Sequence, residues 1–141
     1  MDKNLVQILV GLAILAHGIG HVMGWFPIFG WVEKSNLNWK PDSWLLTRFI
    51  GLTASKVLGF LIWTAAAVMA IMAGLAALGW LVPAAWFKDL AVWSSAVSLG
   101  GLFLFTNAFA TTFNKLGAIA VDVVLLVSLL WVDWPPVSGI G

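Results

Sequence analysis

The run LVQILVGLAILAHGIGHVMGWF, residues 5–26, contains no charged residue and decides the class of fold. About 20 apolar residues in a helix are enough to cross the hydrocarbon core of a bilayer, which is roughly 30 Å thick. Both histidines of the protein lie in this run, at positions 17 and 21. Because they are four positions apart, His17 and His21 fall on one face of the predicted helix. Burying ionisable side chains in an apolar segment costs free energy, so this stretch is also the first candidate for a functional site.

The composition of the whole chain indicates an integral membrane protein, built as a single transmembrane domain over residues 1–141. Of the 141 residues, 62% are hydrophobic and 9% are charged, and the mean hydropathy is +1.01. A soluble domain carries roughly a quarter charged residues. The net charge of +1 gives no reason to expect a nucleic-acid partner. The absence of cysteine excludes a disulfide, a thiolate metal site and a cysteine nucleophile.

Uncharged runs separated by polar segments predict four membrane spans. Because the connections are mostly short, the predicted fold class is all-α, an integral membrane antiparallel four-helix bundle. The first loop is predicted to hold a short interfacial helix at about 44–54, begun by a cap at Asp42 or Ser43. The predicted spans are residues 5–26, 56–80, 89–106 and 116–132.

Small residues recur along the first predicted helix. Ala16, Gly20 and Gly24 are spaced four apart, which places them on one face and lets another backbone approach closely. We therefore expect this face to contact a second helix, either of the bundle or of a partner.

Lysine and arginine residues beside the spans predict the orientation, because cytoplasmic loops carry an excess of them. One side has five such residues and the other has two, which places both chain termini outside the cytoplasm. We expect the protein in the bacterial plasma membrane, with the lipid bilayer and other membrane protein subunits as its partners. The five residues are Lys34, Lys40, Arg48, Lys56 and Lys115, and the two are Lys3 and Lys88.

A further ionisable residue, Asp122, lies inside the fourth predicted span. At about 1.5 Å of rise per residue, His17 lies about 18 Å and His21 about 24 Å along the first span. The fourth span runs the opposite way and brings Asp122 to about 21 Å from the same side, between the two histidines. The same count brings other side chains near this layer, and these complete the predicted ligand-binding set: Trp63, Thr64 and Asn107.

Several kinds of chemistry are open to this layer. His17 and His21 could share one metal ion, with Asp122 as a third ligand, because histidines four apart on a helix converge. A single histidine could ligate a haem or chlorophyll-type pigment held against a neighbouring subunit. An Asp–His pair can also be a packing device that fixes the register of two helices. The glutamate of the zinc metalloprotease motif is missing, since position 18 is glycine.

The sequence resembles the DoxX-like family of small four-helix membrane proteins in two places. Gly11-Leu12 is followed by His17-Gly18, a glycine-containing apolar run that reaches a His-Gly pair, and Gly117 precedes Asp122 inside the last span. Chain length and the number of predicted spans fit as well. The resemblance implies a role in quinone-linked or thiol oxidoreduction, or as an accessory membrane subunit. The family often has lysine where this chain has His21.

These observations favour an accessory or redox-associated membrane subunit with a pocket around His17, His21 and Asp122. The predicted ligand is a hydrophobic molecule such as a quinone, whose carbonyl oxygens accept hydrogen bonds from histidine. One alternative is a structural subunit of a larger membrane complex that supplies a histidine to a haem or a pigment. A second alternative is a small metal-binding membrane enzyme.

Overall fold

The computed structural model describes residues 3–32, 39–109, 111–132 and 134, and within those ranges it is all-helical with no strand. Four long helices carry the fold. Residues 33–38, which include Lys34 of the predicted first loop, lie outside the described residues, as does the chain after Trp134. The helices are α1 (Lys3–His21), α2 (Trp25–Ile28), α3 (Leu46–Leu78), α4 (Phe87–Leu104) and α5 (Thr112–Val127), with short 3₁₀ or π turns at Val22–Gly24, Ala84–Trp86 and Ser128–Val132.

Among the described residues, three helical stretches are long and apolar enough to cross a membrane: Leu5–Ile28, Leu46–Leu78 and Thr112–Val132. They correspond to the first, second and fourth predicted spans, and the all-α class of the prediction is confirmed. The third predicted span corresponds to α4, which has 18 residues and begins with polar positions that include Asp89. α4 is therefore not among the three helical stretches that are long and apolar enough to cross a membrane.

The predicted interfacial helix and the second predicted span form one element, α3, which is kinked near its start. Gly51 has φ 78° and ψ 166° at the kink, a backbone conformation that suits a residue without a Cβ. Ser43 lies two residues before Leu45, the N-cap position of this element, and makes side-chain contacts with its first turn. Its Oγ accepts a hydrogen bond from the backbone N of Leu46 at 3.1 Å, and its own backbone N donates to Oγ1 of Thr47 at 3.0 Å. Of the two predicted cap residues, Ser43 therefore has the capping contacts.

The last long helix, α5, begins at Thr112, earlier than the predicted start of the fourth span at residue 116. The side chain of Thr111 accepts a hydrogen bond from the backbone N of Asn114 at 3.1 Å. Such a cap satisfies one of the unpaired amides at a helix N-terminus, so the helix extends into the segment predicted to be a polar hairpin. The added turn places Asn114 on the same helix as Asp122.

α1 packs on α3 through glycines that let the two backbones approach closely. A Cβ added to Gly18 would lie 2.9 Å from the α3 backbone, and one added to Gly24 would lie 2.5 Å from an indole ring of α3. Of the predicted contact face, only Gly24 makes this contact within the chain. Ala16 is exposed, and nothing lies within 4 Å of a Cβ placed on Gly20. The buried positions of α1 recur three or four apart, at 11, 14, 18 and 21, which is the spacing of a helix–helix seam.

The remaining helices follow in order, with α3 packed on α4 and α4 packed on α5. A cleft lies between α1 and α5, and residues of both helices line it. The main aromatic part of the core lies beside this cleft and is formed by Trp63, Leu102, Phe105, Ala108 and Phe109. Both histidines of the chain line this cleft.

Candidate functional site

His17 of α1 and Asp122 of α5 meet across the cleft. Nε2 of the histidine lies 2.9 Å from Oδ1 of the aspartate, and 105 positions separate the two residues in the sequence. The side chain of Asp122 is fully buried and that of His17 is 10% exposed. An ionised carboxylate can only accept, so it would hold the Nε2–H tautomer of His17 and leave Nδ1 with a lone pair. This contact is the polar link between α1 and α5.

Ser98 of α4 satisfies the other carboxylate oxygen. Its Oγ donates to Oδ2 of Asp122 at 2.5 Å, and the serine is fully buried. Asp122 therefore joins three helices, with a different helix at each of its two oxygens. A buried carboxylate with both oxygens paired is far less costly than one left without partners.

His21 lies one turn beyond His17, and its environment is different. The two imidazole rings meet edge to face with centroids 4.5 Å apart, and the His21 ring also stacks on Trp63 at 6.1 Å. His21 is 1% exposed. Its Nε2 is buried and has no hydrogen-bond partner in the described part of the chain. A buried ring nitrogen without a protein partner is costly, so this Nε2 is a candidate for binding a ligand.

The three ionisable side chains are close enough to act on one ligand. One ligand atom from each of His17, His21 and Asp122 can be chosen so that all three lie within 4.8 Å of one another. Zinc binds histidine nitrogens and carboxylate oxygens at about 2.0–2.2 Å. The residues therefore fit a divalent transition metal in kind, and their ligand atoms lie close together.

A cavity of about 360 Å³ opens beside these residues, between α1 and the beginning of α5. This volume is in the range of small-molecule sites, which are mostly apolar with a few placed polar groups. Three of the lining residues carry polar side chains: His17, His21 and Asn114. Gly20 and Gly117 also line the cavity, and a Cβ on either would meet nothing within 4 Å.

Of the other side chains predicted for the site, Trp63 reaches it and two lie elsewhere. Trp63 contacts His21 as described and packs edge to face on Phe109 with centroids 5.1 Å apart. The hydroxyl of Thr64 donates to the carbonyl of Phe60 in its own helix at 2.7 Å. The backbone carbonyl of Asn107 accepts a hydrogen bond from the backbone N of Lys40 at 2.9 Å. Neither Thr64 nor Asn107 lines the cavity.

Two polar residues of the site are absent from the predicted set. Ser98 is one of three buried serines of α4, with Ser94 and Ser95. The four-residue spacing of Ser94 and Ser98 was a signal for a polar stripe facing another helix. Asn114 belongs to the turn that the Thr111 cap adds to α5, so the cap was the signal that could have placed it.

Comparisons of the chain with protein-family models, with curated proteins and with solved structures find no match. They therefore do not identify the DoxX-like family that the sequence resembles.

Proposed function

We propose that this chain is an integral membrane protein that binds a hydrophobic ligand with a hydrogen-bonding head group, such as a quinone, in the cleft between α1 and α5. The observation that carries the proposal is the cavity of about 360 Å³ with His17, His21 and Asn114 as its polar lining. A carbonyl-bearing ring accepts hydrogen bonds, and the amide of Asn114 and an Nε2–H of His21 can donate them. The protein would then act as the ligand-holding accessory subunit that the sequence favours.

The membrane placement rests on composition and on the helices. Three stretches can cross a bilayer by length and hydropathy, and α4 would complete an antiparallel bundle of four because it packs between α3 and α5. The polar cluster then lies inside the apolar layer. Ionisable residues at that depth are expensive and face the interior of a bundle or a cavity, as His17 and Asp122 do.

The hydrogen bonds around Asp122 support a preorganised site. Because Ser98 and His17 each hold one oxygen of the carboxylate, the imidazole of His17 is fixed before a ligand arrives. A fixed donor or acceptor loses less entropy on binding than a mobile one. His21 is free of such bonds at Nε2 and is the group that a ligand could satisfy after a small movement.

Binding can be tested with a tail-less quinone head group, dimethoxy-methyl-benzoquinone, titrated against the protein in lipid nanodiscs with tryptophan fluorescence as the readout. His21→Phe keeps an aromatic ring against Trp63 but removes the ring nitrogens, and Asn114→Leu removes the amide. Each is expected to weaken binding by about three- to tenfold, the value of one lost hydrogen bond. Thr64→Val is the matched control, because Thr64 bonds within its own helix. Equal affinity in all four proteins, or no saturable binding to the wild type, would contradict the proposal.

A second candidate function is the binding of a divalent transition metal, favoured by the three ligand atoms of His17, His21 and Asp122 within 4.8 Å. Histidine nitrogen and carboxylate oxygen are ligands that zinc accepts in tetrahedral sites. Ser98 would orient the coordinating carboxylate from outside the ligand set, a contribution that strengthens metal binding.

If the chain binds a transition metal, protein stripped of metals with a chelator is expected to bind one cobalt(II) or zinc(II) ion per chain tightly. Cobalt(II) in such a site is expected to give visible absorption bands of tetrahedral type. His21→Phe is expected to lower the affinity by at least about tenfold, whereas Thr64→Val leaves it unchanged. Metal binding that is equally strong in His21→Phe would place the ion elsewhere and remove this candidate.

A further inference from the structure

We infer that the ligand of the cleft is a long-chain amphiphile whose apolar tail lies in a second cavity between α1 and α5. This inference rests on the proposed function, since the first cavity is taken as the site of the head group. It goes further by naming the chemical class: a ring or carbonyl head joined to an isoprenoid or acyl chain.

The second cavity has a volume of about 340 Å³ and an apolar lining from α1 and from α5 and the segment after it. Val10 and Ile14 line one wall, and Val124 and Leu125 line the other. Two residues of its lining carry polar side-chain groups, Ser128 and Trp134, and both follow the end of α5. Such a surface offers dispersion contacts to an alkyl chain and almost nothing to a polar group.

The two cavities are neighbours. Ala13 of α1 and Val121 of α5 line both of them, so the polar cavity and the apolar cavity follow one another along the cleft. At about 1.5 Å per residue, Val10 lies about 10 Å along α1 from His17. The path thus places a polar head beside the histidines and directs the next portion of the same molecule along the helices.

The width of the cleft favours a thin chain over a helix of a partner protein. His17 and Asp122 are 2.9 Å apart and hold α1 and α5 together at this level. A helix with its side chains is about 10–12 Å across, so it could enter only if that buried bond were broken. A thin alkyl chain would pass along the open outer side of the cleft and leave that bond intact. Val124 is 62% exposed, so the cleft is open along its outer side and a longer tail can continue into surrounding lipid.

The test compares the tail-less benzoquinone with its decyl-tailed analogue on the full chain in nanodiscs. Ala120→Phe places a ring in the second cavity, which Ala120 lines, and leaves the first cavity unchanged. It is expected to lower the affinity for the tailed quinone by at least about fivefold, which corresponds to the lower end of an overpacking cost. The affinity for the tail-less quinone is expected to stay unchanged. Ile119→Phe is the control, because this neighbouring position lines neither cavity.

The tail site and the head-group site fail under different outcomes. If Ala120→Phe leaves the affinity for both quinones unchanged while His21→Phe lowers both affinities, the head-group site stands and the tail assignment is overturned. If neither quinone binds the wild type, the proposed function itself fails. Decanoate serves as a further probe. Competition by decanoate that Ala120→Phe abolishes supports the tail site, whereas competition that is equal in both proteins overturns it.

Discussion

Replacing Asp122 by leucine is expected to destabilise the protein strongly, because it leaves two buried groups without their acceptor. His17 loses the partner at 2.9 Å and Ser98 loses the partner at 2.5 Å. Each stranded polar group costs roughly 1–3 kcal/mol when it cannot reach water. The change is measured as the difference in free energy of unfolding, or as a lower melting temperature, of the detergent-solubilised protein.

Two further variants make this result specific to the hydrogen bonds. Asp122→Asn keeps an acceptor oxygen and adds donors, so we expect it to retain most of the stability. Val123→Leu changes a neighbouring side chain that is 44% exposed and is expected to melt like the wild type. In a double-mutant cycle, Asp122→Leu and His17→Leu should be coupled, because each removes the other's partner. A melting temperature of Asp122→Leu equal to that of Val123→Leu would refute the importance of this link.

The second large effect is a contrast between two glycines of α1 that are two positions apart. Gly18→Leu is expected to cost roughly 1–3 kcal/mol of stability or more, since even its Cβ would lie 2.9 Å from the α3 backbone, which cannot move aside easily. Gly20→Leu should not destabilise the protein, because its side chain enters the cavity and leucine favours helix by up to about 1 kcal/mol over glycine.

The same pair separates stability from binding. Gly20→Leu fills part of the head-group cavity, so it should abolish saturable binding of the tail-less benzoquinone while the melting temperature stays at or above that of the wild type. Gly20→Ala is the graded control, since a single methyl group leaves most of the cavity open. Tight quinone binding by Gly20→Leu would mean that the head group does not occupy this cavity.

The pairing of His17 with Asp122 could be predicted because it depends on regular quantities. The length of an uncharged run identifies a span, and the constant rise of a helix converts a residue number into a depth. The depth of a residue in the membrane does not determine the direction in which its side chain faces, because successive residues are rotated by about 100° around the helix axis. Trp63 and its neighbour Thr64 share a depth, yet one reaches His21 and the other bonds to its own helix.

Features that depend on local chemistry were harder to predict. Serine in an apolar helix often bonds to its own backbone, so nothing distinguished Ser98 as the partner of a carboxylate. The kink at Gly51 and the cap at Thr111 arise from single residues, which hydropathy averaged over a span does not detect. The cleft itself could not be predicted, because it depends on how α1, α3, α4 and α5 pack in succession.

The long sequence separation between His17 and Asp122 has a consequence for biogenesis. Chains emerge from the ribosome at about 5–20 residues per second, N-terminus first. The aspartate is made 105 residues after the histidine, so roughly 5–20 s pass before the partner exists. The glycine contact between α1 and α3 can form during this interval, because both helices precede α5 in the chain. The helix that is synthesised after α1, α3 and α4 is therefore the one that completes the binding site.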